Sequence, residues 1–131
     1  MHSLSYDMQH FMNEHGGYFY FIFRVIVGLL FLLHGAQKFG VFGGDVVAFG
    51  TLFWFAGAIE LIVGTLVVVG LLTRWAALVG AVEMLVAYFM KHASQGWNPL
   101  TNQGEPALLF LATFLVLMIY GYERWGLDSY F

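Results

Sequence analysis

The sequence contains no cysteine and has few charged residues. Without cysteine, the chain forms no disulfide, offers no thiolate to a metal and performs no thiol redox chemistry by itself. Charged residues make up only 10% of the chain, whereas about a quarter is usual in a soluble domain. Five Lys and Arg against eight Asp and Glu give a net charge of -3, and this balance argues against a nucleic-acid partner.

Most of the chain is apolar. Apolar residues make up 60% of the 131 residues, and the mean hydropathy is +0.77. A soluble protein of this size needs more polar surface to cover its core. The composition therefore predicts a single-domain integral membrane protein whose first partner is the lipid bilayer.

Four long apolar stretches are predicted to cross the membrane as helices, at about 18–39, 50–72, 75–91 and 105–122. Each approaches the roughly 20 residues that a spanning helix requires. The polar stretch 92–106 is the main loop. The predicted fold is thus an all-α, four-transmembrane-helix bundle with both termini on the same side. Asn102 is expected to cap the fourth helix, with Glu105 and Pro106 in its first turn.

The chain ahead of the first span, residues 1–17, is more polar and carries Asp7 and Glu14 but no Lys or Arg. A secretory signal needs a positively charged start, so we expect no cleaved signal. The segment is either a short interfacial helix on the membrane surface or a frayed tail. Helical spacing of its larger side chains permits the first alternative: Leu4, Met8, Phe11, Met12, His15. The membrane domain proper is expected at 18–131.

The orientation in the membrane is predicted from a small excess of cationic side chains at one end of the bundle. Arg24, Arg74 and Arg124 lie toward the terminal side of the predicted bundle, and Lys38 and Lys91 toward the other. The positive-inside rule then predicts cytoplasmic termini.

Three polar residues of the first span share one side of the helix. With Arg24 as the origin of a helical wheel, Lys38 and His34 fall within about a quarter turn of it. Such residues usually face the interior of a bundle, since ionisable groups are costly in lipid. The alternatives are that Lys38 snorkels at the end of its span, that Arg24 anchors the interface, and that His34 is a hydrogen-bonded packing residue.

Carboxyl groups also occur within the spans. Glu60 lies near the middle of the second span, on the same face as Gly57 and Gly64, and small residues allow helices to approach closely. Lys38 and Arg24 are its candidate partners. Glu83 lies near the middle of the third span, where a pairing at a subunit interface is one alternative.

His92 and Glu105 flank the main loop. On a regular helix His92 would point away from Glu83, so we expect the third helix to end or bend before His92. The alternative for Glu105 is a snorkelling residue at the end of its span. Together with His34 and Lys38, these two residues are predicted to form a polar funnel that opens toward the loop, with Glu60 deeper.

Four segments in order are similar to the DoxX family of small four-helix membrane proteins. They are RVIVGLLFLLHGAQKFG (24–40), AIELIVGTLVVVGLLTRWAALVGA (58–81), GEPALLF (104–110) and GYERWGLD (121–128). The resemblance covers about residues 20–128. The positions that match the family's polar residues are Arg24, His34, Lys38, Glu60, Arg74, His92 and Glu105. Glu83 stands where the family usually has an apolar residue, so the resemblance gives it no role.

The resemblance implies a bundle in a bacterial or archaeal cytoplasmic membrane, and an association with quinone-linked or thiol-redox complexes. On this basis Glu60, His34 and Lys38 are predicted catalytic residues, and His34, Lys38, His92, Glu105 and Arg24 are predicted to bind a cofactor. The cofactor is expected to be quinone, with a haem held by His34 and His92 as a weaker alternative. No metal ligand set is predicted.

Partners are expected to be other membrane or redox subunits, or further copies of the chain. The competing function is that of a non-enzymatic structural or assembly subunit. A small-solute carrier is less favoured, because the spans lack the broken helices of transporters.

Overall fold

The computed structural model describes residues 1–131 as an all-helical chain, with 77% of residues in helices and no strand. Four principal helices follow one another: α1 (His2–Lys38), α2 (Leu52–Val69), α3 (Thr73–Ala87) and α4 (Glu105–Tyr120). The predicted four-helix fold is confirmed. The ends of α2, α3 and α4 lie within a few residues of the predicted boundaries.

The helices have the length and composition of membrane spans. α1, α2 and the helical stretch Thr73–Gln95 are long and apolar enough to cross a bilayer, while α4 is apolar and shorter, at 16 residues. Large apolar side chains such as Ile26, Ile62 and Ile119 are exposed on the outside of the bundle. An outside of this kind is stable only in an apolar solvent, as the lipid interior is.

α1 extends well beyond the other helices. Its 37 residues correspond to about 55 Å of helix, whereas the hydrocarbon core is about 30 Å thick. Residues 1–14 are exposed, and the helix continues without a break into the first span. The N-terminal segment is thus helical, and its interfacial position stays a prediction.

Glycines bring α1 and α2 into close contact. A Cβ on Gly64 would lie 2.6 Å from the Leu32 nitrogen and 2.8 Å from the Gly28 oxygen, and one on Gly35 would lie 2.8 Å from the Gly57 oxygen. Only hydrogen fits in these gaps, so the two backbones touch. The close packing predicted at Gly57 and Gly64 is confirmed.

The first span and the end of α4 meet at one end of the bundle. The Tyr20 hydroxyl donates to the Gly121 carbonyl at 2.6 Å. Nearby, the fully buried Arg24 guanidinium donates to the carbonyls of Tyr122, Arg124, Trp125 and Val68. The membrane-spanning part therefore begins and ends on the same side.

The C-terminal segment also forms hydrogen bonds with the turn between α2 and α3. The Asp128 carboxylate accepts hydrogen bonds from the Leu72 and Thr73 amides and from the Thr73 hydroxyl. It therefore serves as the N-terminal cap of α3, which has no cap from its own chain neighbours. Burial raises the pKa of the Asp128 carboxyl, but these hydrogen bonds outweigh it and hold the pKa below its ordinary value.

α3 does not remain a regular helix as far as His92. It gives way to a π-helical turn at Tyr88–His92 and then to a 3-10 turn at Ala93–Gln95. The predicted end or bend before His92 is therefore confirmed. Such wide turns change the direction in which the following side chains point.

One local prediction is wrong. α4 is capped by Gly104, without a side-chain hydrogen bond, although Pro106 does lie in the first turn. Asn102 is fully buried instead, and its amide group bonds the Gly104 nitrogen, the Gly96 carbonyl and the Tyr88 hydroxyl. Its side chain thus joins the end of the third span to the loop and to the N-cap residue of α4, and these three hydrogen bonds outweigh one free amide at the helix start.

Candidate functional site

An ion pair lies between α1 and α2. The Lys38 Nζ atom is 2.7 Å from Glu60 Oε2 and 3.0 Å from Oε1. The Glu60 side chain is only 6% exposed, and that of Lys38 is 25% exposed. The structure thus selects Lys38, and not Arg24, from the two predicted partners of Glu60. The glycine contacts explain the geometry, since Gly57 packs against the Lys38 side chain one turn from Glu60.

Glu83 on α3 joins this pair. Both of its carboxyl oxygens are buried and lack a hydrogen-bond partner. Its carboxyl lies within hydrogen-bonding reach of that of Glu60, and the charges acting on it are those of Glu60 and Lys38. The sequence shows that Glu83 is a costly carboxyl in mid-span but does not place it in this cluster. Helical periodicity orients residues within one helix and does not specify the rotation of α3 against α2.

A polar cleft opens next to the cluster at the end of α1. Its volume is about 330 Å³, and it is lined by His34, Gln37, Lys38, Gly43, Gly44 and Asp45. No apolar side chain lines it. Lys38 therefore belongs both to the ion pair and to the wall of a cleft that reaches the surface of the bundle.

A second, apolar cleft of about 270 Å³ lies between α1 and α4. Its walls include Val27, Leu30, Leu109 and Phe110, with Glu105 as its charged residue. The Phe110 ring also contacts the His34 ring edge-on, with centroids 5.5 Å apart. His34 and Phe110 consequently lie where the polar cleft and the apolar cleft adjoin.

His92 has a different environment. Its Nδ1 atom is 3.0 Å from the Asn102 carbonyl, and its ring faces Tyr88. His34 instead contacts Phe110 and lines the polar cleft. The two imidazoles thus have separate neighbours, and the facing pair that a haem would require is not formed in this arrangement.

Arg24 lies at the opposite end of the bundle from the polar cleft. Its two terminal nitrogens donate to four backbone carbonyls of α2 and the C-terminal segment, while its buried Nε has no partner. Of the predicted site residues, the structure therefore brings together His34, Lys38 and Glu60 and sets Glu105 beside the neighbouring cleft. Arg24 and His92 are each engaged elsewhere.

The fold and the buried cluster define a small integral membrane protein with a polar site inside a four-helix bundle. The chain belongs to the DoxX family, whose family model matches residues 19–93. That match includes the Lys38–Glu60 pair and Glu83.

Curated relatives agree with this assignment. An uncharacterized protein of Haemophilus influenzae is 35% identical over 128 residues, covering 92% of this chain and 96% of its own. An uncharacterized membrane protein of Mycobacterium tuberculosis is 31% identical, covering 80% and 76%. A Bacillus subtilis protein named "Putative oxidoreductase CatD" is 30% identical, covering 83% and 84%. No solved structure matches the chain.

Proposed function

We propose that the protein is the membrane subunit of a quinone-linked oxidoreductase, and that the end of α1 forms its quinone site. The observation that carries the proposal is the Lys38–Glu60 ion pair, which lies within the spans beside a polar cleft. Ionisable groups inside a membrane mark functional sites by default. The name of the Bacillus subtilis relative supports the reaction class.

The two neighbouring clefts suit an amphipathic ligand with a polar ring and a long apolar tail. His34, Gln37 and Lys38 in the polar cleft offer N–H donors for ring oxygens. Val27, Leu30 and Leu109 in the apolar cleft offer a lipid-like wall for the tail. Donors at one end and apolar walls at the other are the usual composition of a cofactor site.

When bound, a quinone would supply the electron-accepting chemistry that the side chains of this chain lack. Lys38 and His34 would orient its ring oxygens by hydrogen bonds. Glu60, paired with the Lys38 ammonium, would exchange a proton with water in the polar cleft. Electrons would come from a partner subunit that carries its own redox group.

We also propose that the protein resides in a cytoplasmic membrane with its termini on the cytoplasmic side. Arg74 and Arg124 lie at the terminal end of the bundle, next to Gly121 and Gly17. Lys91 lies at the other end, over the Phe53 ring. This excess of cations at the terminal end follows the positive-inside rule.

Photoaffinity labelling with an azidoquinone in native membrane vesicles tests the quinone proposal. We expect cross-links in peptides that contain His34–Asp45 or Phe110, competed by excess unlabelled quinone, and a several-fold loss in Lys38→Met. Glu14→Gln, an exposed change on the N-terminal part of α1, is the control and should label normally. Labelling that is not competed, or that spreads evenly over lipid-facing residues, would support the structural-subunit alternative.

A further inference from the structure

The charges of the buried cluster do not balance. One ammonium, that of Lys38, faces the carboxyls of Glu60 and Glu83. An uncompensated charge inside a membrane is strongly disfavoured. Balancing the cluster therefore requires one further positive charge.

The surroundings of Glu83 contain no further charged group to supply it. α1 presents Lys38, and α2 presents Glu60. His34 of α1 lines the neighbouring polar cleft and is not among the charges that act on Glu83. α4, which also packs on α3, has Glu105 at its exposed start and Tyr120 at its far end as its titratable side chains. A small cation can therefore neutralise the excess charge of the cluster. A proton fits, because the Glu60 and Glu83 carboxyls lie within hydrogen-bonding reach of each other.

We infer that Lys38, Glu60 and Glu83 form a one-proton binding site, in which the two carboxyls share one proton beside the ammonium. As two carboxylates, Glu60 and Glu83 have no donor between them, which leaves the Glu83 oxygens without a partner. With one proton, Glu83 donates to Glu60, and Glu60 keeps its bonds to Lys38. Paired carboxyls elsewhere hold a single proton for the same reason.

The polar cleft gives this proton a route to water. Lys38 lines the cleft and touches Glu60 directly. A proton delivered by water in the cleft protonates one carboxylate, and release returns it to water by the same path. The site belongs to this chain alone and does not depend on a bound quinone, so it stands or falls separately from the proposed function.

Infrared spectroscopy can count the bound protons. The C=O stretch of a protonated carboxyl is measured for purified protein at neutral pH in an alkyl glycoside detergent, which has no carbonyl group. We expect a protonated-carboxyl band in the wild type. It should disappear in Glu83→Gln and also in Glu60→Gln, because the remaining carboxylate then pairs with Lys38. Lys38→Met should roughly double it, since both carboxyls then bind protons.

Glu14→Gln is the matched control, and its band should equal that of the wild type, because Glu14 is exposed. If Glu83→Gln does not fold, Glu60→Gln and Lys38→Met still decide the matter. A wild type without the band would overturn the inference, and so would a band retained in Glu83→Gln or Glu60→Gln. A normal band in a protein that fails azidoquinone labelling would uphold the proton site and reject the quinone proposal.

Discussion

At the scale of single residues, the cationic side chains of Arg24 and Lys38 have different roles because they contact different partners. Arg24 is fully buried, and its guanidinium spans carbonyls from two parts of the chain. Lys38 pairs with one carboxylate and lines a cleft. The forked guanidinium suits several fixed acceptors, whereas a single ammonium suits a site that exchanges protons or ligand.

Replacing Arg24 by lysine should destabilise the protein. Lysine keeps the charge but cannot reach all four carbonyls, and hydrogen bonds from a charged group contribute about 1.5–3 kcal/mol each. We expect a loss of about 2–4 kcal/mol, measured as a lower midpoint of thermal unfolding in mild detergent. Arg124→Lys, an exposed change beside Tyr18 and Trp125, should lose less than about 1 kcal/mol. Equal losses in the two variants would contradict this role for Arg24.

The Asp128 cap should make stability depend on pH. Its pKa is lower in the folded protein than its ordinary value of 3.8, so the unfolded chain binds the proton more readily. The stabilisation by the ionised Asp128 cap is therefore complete at neutral pH. It is lost as the pH falls below the ordinary pKa toward the lower pKa of the folded protein. We expect the difference in thermal midpoint between wild type and Asp128→Asn to shrink below about pH 4. A difference that stays constant or grows in acid would refute the assignment.

At the scale of helices, the contact between α1 and α2 determines the site. The glycine pairs hold the two backbones together, and that proximity allows Lys38 to reach Glu60. Hydropathy and turn residues predicted the helices and their approximate ends. They did not predict the position of Glu83, because it depends on packing between helices. They also left the continuity of α1 through residue 17 open, because the exposed residues 1–14 fit a separate interfacial helix equally well.

Gly64→Ala should separate these helices. A Cβ there would lie 2.6 Å from the Leu32 nitrogen, which belongs to the backbone and cannot move alone. We expect the free energy of unfolding to fall by about 1–3 kcal/mol, as in overpacked cores. Thermal unfolding in mild detergent measures this change. Gly16→Ala is the matched control, since nothing lies within 4 Å of its Cβ. Alanine favours helix there by up to about 1 kcal/mol, so a comparable loss in both variants would contradict the close contact.

The Lys38–Glu60 pair should give a measurable coupling free energy between α1 and α2 in a double-mutant cycle. We expect Lys38→Met and Glu60→Gln each to destabilise, and the double variant to lose less than the sum by about 0.5–3 kcal/mol. Unfolding of all four proteins in the same detergent measures this difference. Strictly additive losses would show that the two side chains do not stabilise each other.

At the scale of the whole molecule, the two ends of the bundle have different roles. The terminal end is closed by Arg24, Asp128 and the C-terminal segment. The polar cleft opens at the other end, and the buried ion pair and the unpartnered carboxyl of Glu83 lie between the two ends. The membrane class and the helix count followed from composition and apolar length alone. The grouping of Lys38, Glu60 and Glu83 required the tertiary arrangement, since these residues come from three separate helices.

The most direct test of the central claim is the quinone content of the protein purified gently from its native membrane. Extraction and mass spectrometry measure quinone per chain in the wild type, Lys38→Met and Glu14→Gln. The account predicts near-stoichiometric quinone in the wild type and in Glu14→Gln, and a several-fold loss in folded Lys38→Met. A folded wild-type protein without quinone, or quinone retained equally in Lys38→Met, would contradict it.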